Sequence, residues 1–397
     1  MKKNILAGLT PSGFLRLHWQ KRPLFAPGAL AQYADAVTRA DLFTLAQCED
    51  VESRIVQRLT RGRWQLRHGP FTRRDLKHLP RTGWTLLVQG VEQKLWRAAQ
   101  LLSEFSFIPH ARLDDIMVSY AAPGGGVGAH FDSYDVFLLQ GCGRRRWQIS
   151  LHDDLELVPD IPVKILQRFT PTDEWLVNPG DLLYLPPQCA HNGVAVDECI
   201  TYSIGFRAPT AQELSQRFLE FLDDRLQLEG IYTDPNLKPT CTPARIPHEM
   251  IKHAAGTLDS LRWKRKDVEE FMGVYLTEPK ANVVFKPPLR AMKQEAFTRR
   301  AQRVGIRLAL PTRMLASGKQ MFVNGDAHTM ERRPDLALTQ LANQRQLAPP
   351  LCFGKAAAEM LYEWYCVGYL ELGVAPRKDE TKVCRGRGSV EPAARNE

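Results

Sequence analysis

Between Pro123 and Trp147 the chain reads PGGGVGAHFDSYDVFLLQGCGRRRW, and the fold turns on how this stretch is read. A glycine run suggests a phosphate-binding loop, which needs Lys-Ser/Thr after the glycines and a helix N-terminus facing the anion. Here the glycines lead instead to His130, Phe131 and Asp132, and DVFLLQGCG beyond them reads as a strand. His130 and Asp132 are two apart. On a strand both side chains leave the same face, so one strand end offers two ligands to a single ion. The glycines then let the backbone turn tightly beside those ligands.

A third ligand must come from another segment. NPGDLLYLPPQCAHNGVAV (Asn178–Val196) supplies a tight turn, a short strand, a Pro-Pro break and then His191. Two histidines and one carboxylate on one face of an ion leave three positions open, as in non-haem Fe(II) oxygenases. Zinc, with three protein ligands and a water, competes for the same residues. The strand GRRRWQIS adds a cation. Its alternation puts Arg145, Trp147 and Ile149 on one face, and the apolar pair marks that face as the inner one. An inward Arg145 needs an anion: a protein carboxylate, or the far carboxylate of a dicarboxylate cosubstrate held in a bidentate fork.

Outward from this block, residues from about 110 to 208 form short strands punctuated by Gly and Pro: DDIMVSYAA, DVFLLQGCG, RRRWQISL, EWLVNPGDLLYLPP and ECITYSIGF. Many short strands with turn signals indicate a sandwich or barrel. The first 110 residues mix a helix led in by Thr38 and Asp41 with the β-rich GWTLLVQGV. After Thr210 the texture is helical, with one helix in AQELSQRFLEFLDDRLQL and a second expected over about 247–275. The rest mixes strands (RVGIRLAL, KQMFVNG) with helices (PDLALTQLANQ, KAAAEMLYEWYCVGYLELG). The tail from 377 to 397 has almost no large apolar residue and is expected to be disordered.

Composition bounds the function. At 397 residues, 44% hydrophobic and 24% charged, the chain is long enough for two or three domains of a soluble protein. It has no apolar run long enough to span a membrane, and its first residues make a poor secretory signal, so a cytoplasmic location is expected. Eight scattered cysteines without a CxxC are expected as small core or surface residues rather than a disulfide framework. Of the net charge of +9, only about +1 belongs to the first 285 residues, because 19 Lys/Arg face 11 Asp/Glu from Lys286 onward. A basic C-terminal part is suited to contact with RNA or the ribosome.

HWQKRPL (His18–Leu24), DDIMVSYAAPGGGVGAHFDSYDVFLLQGCGRRRW and LPPQCAHNG together resemble the bacterial ribosomal oxygenases, JmjC-type protein hydroxylases of the cupin superfamily. The resemblance runs over nearly the whole chain. It implies an α+β fold: a double-stranded β-helix catalytic domain over 1–208, a helical dimerisation region over 209–285 and a winged-helix-like module over 286–376. It also implies Fe(II) on His130, Asp132 and His191, 2-oxoglutarate with its 5-carboxylate on Arg145, and O2 as oxidant. The products it implies are succinate, CO2 and a hydroxylated arginine of a large-subunit ribosomal protein. For the substrate guanidinium, Asp114 and Asp115 are the candidate acceptors, because strand alternation turns one of them inward. Tyr134 and Asp135 are expected near the mouth of the site. Three alternatives stand beside this reading: a JmjC hydroxylase acting on a protein histidine or modified tRNA, a nucleic-acid-binding regulator using the basic C-terminal module, and a metal-binding cupin without oxygenase activity, against which an inward Arg145 argues.

Overall fold

Large apolar residues on both faces of two short strands explain how the architecture assembles. In a computed structural model, which describes residues 5–330 and 335–374, the first 208 residues contribute eleven strands. These are β1 (Leu24–Ala26), β2 (Ser53–Arg58), β3 (Trp64–His68), β4 (Trp84–Val88), β5 (Leu113–Ala121), β6 (Val136–Gln140), β7 (Arg145–Ser150), β8 (Asp173–Val177), β9 (Leu182–Leu185), β10 (Ala190–Ala195) and β11 (Cys199–Phe206). Eight of them form an antiparallel sheet in the order β1-β9-β6-β11-β5-β4-β2-β3, and β10-β7-β8 form a second, smaller sheet. β6 and β9 are buried on both faces, as strands sandwiched between two layers must be.

Alternation assigns those faces. Val136 and Leu138 of β6, with Leu183 and Leu185 of β9, point between the sheets and meet Trp147, Ile149 and Val177 from the small sheet. Phe137, Leu139, Leu182 and Tyr184 point the other way, into the core made with the N-terminal helices. Those helices are α1 (Pro11–Leu17), α2 (Arg39–Leu45), α3 (Arg73–Lys77) and α4 (Trp96–Leu102). Phe14 of α1 lies 5.0 Å from the Tyr184 ring and 5.5 Å from that of Phe137. Thr38 with Asp41 and Thr72 with Asp75 form capping boxes that start α2 and α3. The motif HWQKRPL belongs to this layer. Trp19 stacks on Tyr184 at 5.8 Å, and the Gln20 side chain donates to Asp135 at 3.0 Å. The result is the double-stranded β-helix with one large antiparallel sheet, backed by helices.

The chain divides into two compact units. Among the described residues, one comprises 5–208, 279–312 and 335–374; the other comprises 209–278 and 313–330. In the first, the C-terminal segments contribute helices Gln294–Val304, Leu336–Gln344 and Lys355–Cys366 around a small sheet ordered Gln346–Leu347, Ile306–Leu308, Leu370–Leu372. The second unit holds helices Ala211–Asp223, His248–Asp259 and Arg265–Thr277 and a three-stranded sheet over Met314–Thr329.

Two expectations are corrected. The helix foreseen over about 247–275 is two helices, because the Asp267 carboxylate accepts the Lys264 N–H at 2.6 Å and begins a new one. The helix foreseen to the end of GYLELG stops at Cys366, and Leu370–Leu372 becomes a strand after Gly368, which sits at φ 83°. Among the described residues no helix is long and apolar enough to cross a membrane. The tail expected to be disordered lies outside the described residues.

Candidate metal and cosubstrate site

The glycine run places the first ligands by close backbone contact. Gly124 donates its N–H to the Ala195 carbonyl at 2.8 Å, and Ala195 returns a bond to Gly125 at 2.9 Å, which ties the run to β10. A Cβ on Gly126 would sit 2.5 Å from the Gly193 carbonyl, so only glycine fits there. The chain then emerges at His130, which pairs with His191 of β10 through an isolated antiparallel bridge. His130 and Asp132 were expected on a regular strand, but only this bridge forms. It nevertheless keeps both side chains on one side.

His130, Asp132 and His191 converge, with one candidate ligand atom from each lying within 4.8 Å of the others. His191 Nε2 is 3.8 Å from an Asp132 oxygen. Each imidazole uses its other nitrogen on a backbone carbonyl: His130 Nδ1 on Gly128 at 2.9 Å and His191 Nδ1 on Cys189 at 2.9 Å. A carbonyl only accepts, so Nδ1 carries the proton in both rings and Nε2 is left with a lone pair toward the cluster. Burial, reinforced by the charge His130 would carry, holds His191 well below the usual imidazole range. Burial also raises the Asp132 carboxyl, against the opposing pull of His130, a Tyr134 hydrogen bond and Arg54. Two imidazoles beside a carboxylate that, among the described residues, has no lysine or arginine bound to it form a donor set that fits a divalent cation.

Arg145 is turned inward as the alternation of β7 requires and is only 3% exposed. Its Nη1 donates to Ser119 Oγ at 3.2 Å and Thr201 Oγ1 at 3.4 Å, and its Nη2 to the Gly193 carbonyl at 3.1 Å. The guanidinium also lies 4.8 Å from the Trp147 ring centre, while its Nε has no partner. Among the described residues no carboxylate pairs with it. The alternative of an internal ion pair is therefore not realised. Burial pulls its pKa down, the cost of a cation held without a counter-charge.

Arg145, the triad and the remaining candidates line one cavity of about 590 Å³. Asp115 is the inward member of its pair, buried, with Gln89 donating to both carboxylate oxygens at 3.0 and 2.8 Å. Asp114 lies at the rim, 3.5 Å from Arg207. Tyr134 lines the opening, and its side chain reaches Asp132. Asp135 does not reach the mouth. It is fully buried beneath the sheet, where Tyr184, Gln20 and Arg112 all donate to it. Residues that sequence reasoning left out are Ser119 and Thr201 around Arg145, and Gln89, Arg54 and Lys280 on the cavity wall.

A family model described as a JmjC domain matches residues 100–214, and one described as a ROXA-like winged helix matches 260–371. The chain is 33% identical over 328 residues to the ribosomal protein uL16 3-hydroxylase of Escherichia coli strain K12, spanning 81% of this chain and 86% of that protein. Two solved structures of a ribosomal oxygenase from Escherichia coli align with 92% of this chain and 98% of theirs. One is a complex with cobalt and 2-oxoglutarate, at 31% identity and a TM-score of 0.76. The other is a complex with cobalt and succinic acid, at 32% identity and a TM-score of 0.74.

Proposed function

This chain belongs to the JmjC-type ribosomal oxygenases, which are 2-oxoglutarate-dependent, and from that premise we propose that it hydroxylates an arginine side chain of a large-subunit ribosomal protein of the uL16 type. The reading places the reaction in the cytoplasm. His130, Asp132 and His191 would hold Fe(II), which supplies the oxidative chemistry that 2-oxoglutarate and O2 support, with succinate and CO2 as by-products.

The protein's own residues orient and shield. The two Nδ1–H bonds to backbone carbonyls fix both imidazole planes, so the metal would meet a preset face rather than recruit it. Arg145 would take the 5-carboxylate of 2-oxoglutarate, replacing a cation without counter-charge by a charge-assisted pair. Ser119 and Thr201 hold the fork in place on one side, and Trp147 covers its face. Asp115, flanked by Asp114, would receive the substrate guanidinium, with Tyr134 beside the path from the opening. No side-chain base is assigned.

The observation that carries the proposal is Arg145, a buried cation in the triad's own cavity with no carboxylate partner among the described residues. Succinate production should rise on adding a uL16 peptide and fall back when its arginine is replaced by lysine. Stimulation that ignores the arginine would remove the arginine assignment.

We keep residues 1–208 as the catalytic part, 209–285 as the region that pairs two chains, and 286–376 as the winged-helix-like module. Pairing is supported by Ile251 and Leu258, seven apart on helix His248–Asp259 and 53% and 65% exposed, which give that helix an apolar outward face.

A further inference from the structure

We propose that the Lys280 ammonium stands in for the substrate's guanidinium: it occupies the acidic end of the reaction cavity in the substrate-free enzyme and is displaced when the substrate arginine enters. The inference rests on the reading above, that an arginine is the target and Asp115 its acceptor.

Lys280 Nζ lies 2.7 Å from Asp115 Oδ2 and 3.6 Å from Asp114 Oδ1. All three residues line the cavity that contains the triad and Arg145. Asp115 is 4% exposed, and a carboxylate at that depth needs a cation or several donors. Gln89 supplies neutral donors to both oxygens. Lys280 supplies the charge, and among the described residues it is the cation paired with Asp115. Behind them the buried Glu92 accepts the Ile116 N–H, and burial with the nearby Asp115 pushes its carboxyl up to about 8. Glu92 faces the Ile116 N–H, and Asp115 is the carboxylate of the two that Lys280 reaches.

The two cations differ in how they can be held. Lys280 sits outside any helix or strand, and its side chain remains 38% exposed, so it can swing away without breaking a sheet. An ammonium is a point charge on a flexible stem. A guanidinium offers paired N–H donors in a rigid fork, suited to bridging the oxygens of Asp115 and Asp114. An arginine can therefore replace Lys280 at Asp115 with better geometry. A neutral side chain of similar length cannot, because its entry would leave either Asp115 or Lys280 without its counter-charge. On this view Lys280 sets specificity: it holds the Asp115 carboxylate in an ion pair and excludes uncharged intruders, at the cost of weaker binding of the true substrate.

The test uses the full chain loaded with metal and 2-oxoglutarate without oxygen, titrated with an arginine-containing uL16 peptide and with the same peptide carrying citrulline. Wild type should prefer the arginine peptide. Lys280→Met keeps the stem and removes the charge, and it should tighten the arginine peptide by about tenfold, the scale of one charge-assisted hydrogen bond, with little change for citrulline. Lys280→Arg puts a competing fork on Asp115 and should weaken the arginine peptide by a similar factor. Wild type that does not tell the two peptides apart would overturn the arginine reading, and this proposal with it. Wild type that does tell them apart, with Lys280→Met binding no tighter and Lys280→Arg no weaker, would leave the arginine reading standing and reduce Lys280 to a structural partner of Asp115.

Discussion

His130 and His191 exchange both of their main-chain hydrogen bonds, N–H to carbonyl, at 2.9 and 2.7 Å. One residue follows the glycine run and the other follows the Pro-Pro turn, so this two-way bond joins the two segments that carry the ligands. Gln188 adds a third link by donating to the Asp132 carbonyl at 2.7 Å. Three ligand positions are thus held by backbone pairing rather than by an ion.

Metal removal should therefore leave the fold intact. Chelation is expected to preserve the far-ultraviolet circular dichroism spectrum and to lower the unfolding free energy, and with it the melting temperature, only by the lost binding free energy, about 3 kcal/mol at a hundredfold excess of metal over Kd. His130→Ala should lose the metal-dependent increment while melting close to the metal-free wild type. Unfolding on chelation would show that the ion builds the site.

Arg145→Gln should raise the KM for 2-oxoglutarate by roughly 10- to 100-fold, the loss of about 1.5–3 kcal/mol from a charge-assisted pair. Metal binding, read by a spectroscopic probe ion, should persist. Arg145→Lys should recover only part of the loss, since an ammonium cannot reproduce the fork held by Ser119, Thr201 and Gly193. An unchanged KM would remove Arg145 from the cosubstrate.

Glu92 predicts a pH dependence of stability. Its carboxyl has an ordinary value of 4.5 and is raised to about 8 in the folded chain, by burial first and Asp115 second. Lys280 and Arg345 also act on it, with the opposite sign. Between those two values the unfolded chain gives up the proton that the folded chain keeps, so stability falls as pH rises from about 4.5 to 8. Glu92→Gln still offers the Ile116 N–H an oxygen and removes the titration. Its melting temperature should gain on wild type steadily from pH 5 to pH 8. Parallel curves would contradict the buried, protonated Glu92.

If the helical region pairs two chains, Ile251→Glu with Leu258→Glu should convert a dimer to a monomer in light scattering, because both side chains lie on one outward face. A dimer that survives both charges would place the interface elsewhere.

His130, Asp132 and Arg145 were legible because period-2 alternation is a local property, and His191 because a turn, a short strand and a Pro-Pro break precede it. Alternation needs only the run HFD, the run RRRWQI and one assumption about which face is inner. The same logic extended to β5 and β11 would have found more. Asp115, Met117 and Ser119 alternate with buried apolar neighbours, as do Thr201, Ser203 and Gly205, and all six line the cavity. Polar residues repeating on one face of otherwise apolar strands are the sign of a polar interior. Lys280 carried no such signal. It comes from an irregular segment far along the chain, and only the tertiary path brings it to Asp115. Asp135 misled because its position next to Tyr134 suggests shared surroundings, whereas the irregular segment before Val136 leaves Tyr134 at the opening and buries Asp135 against Tyr184, Gln20 and Arg112. The break between the helices at 259 and 265 was missed because their apolar residues continue in nearly the same period, and the stop is made by a cap at Lys264.

The most direct measurement is mass spectrometry of uL16 from the large subunit, after the enzyme is loaded anaerobically with Fe(II) and then given 2-oxoglutarate and air, with His130→Ala as the blank. The account predicts that one oxygen atom is gained on a single arginine with wild type, and none with the blank. An unmodified uL16, with metal shown to be bound and 2-oxoglutarate still consumed, would contradict the proposed substrate.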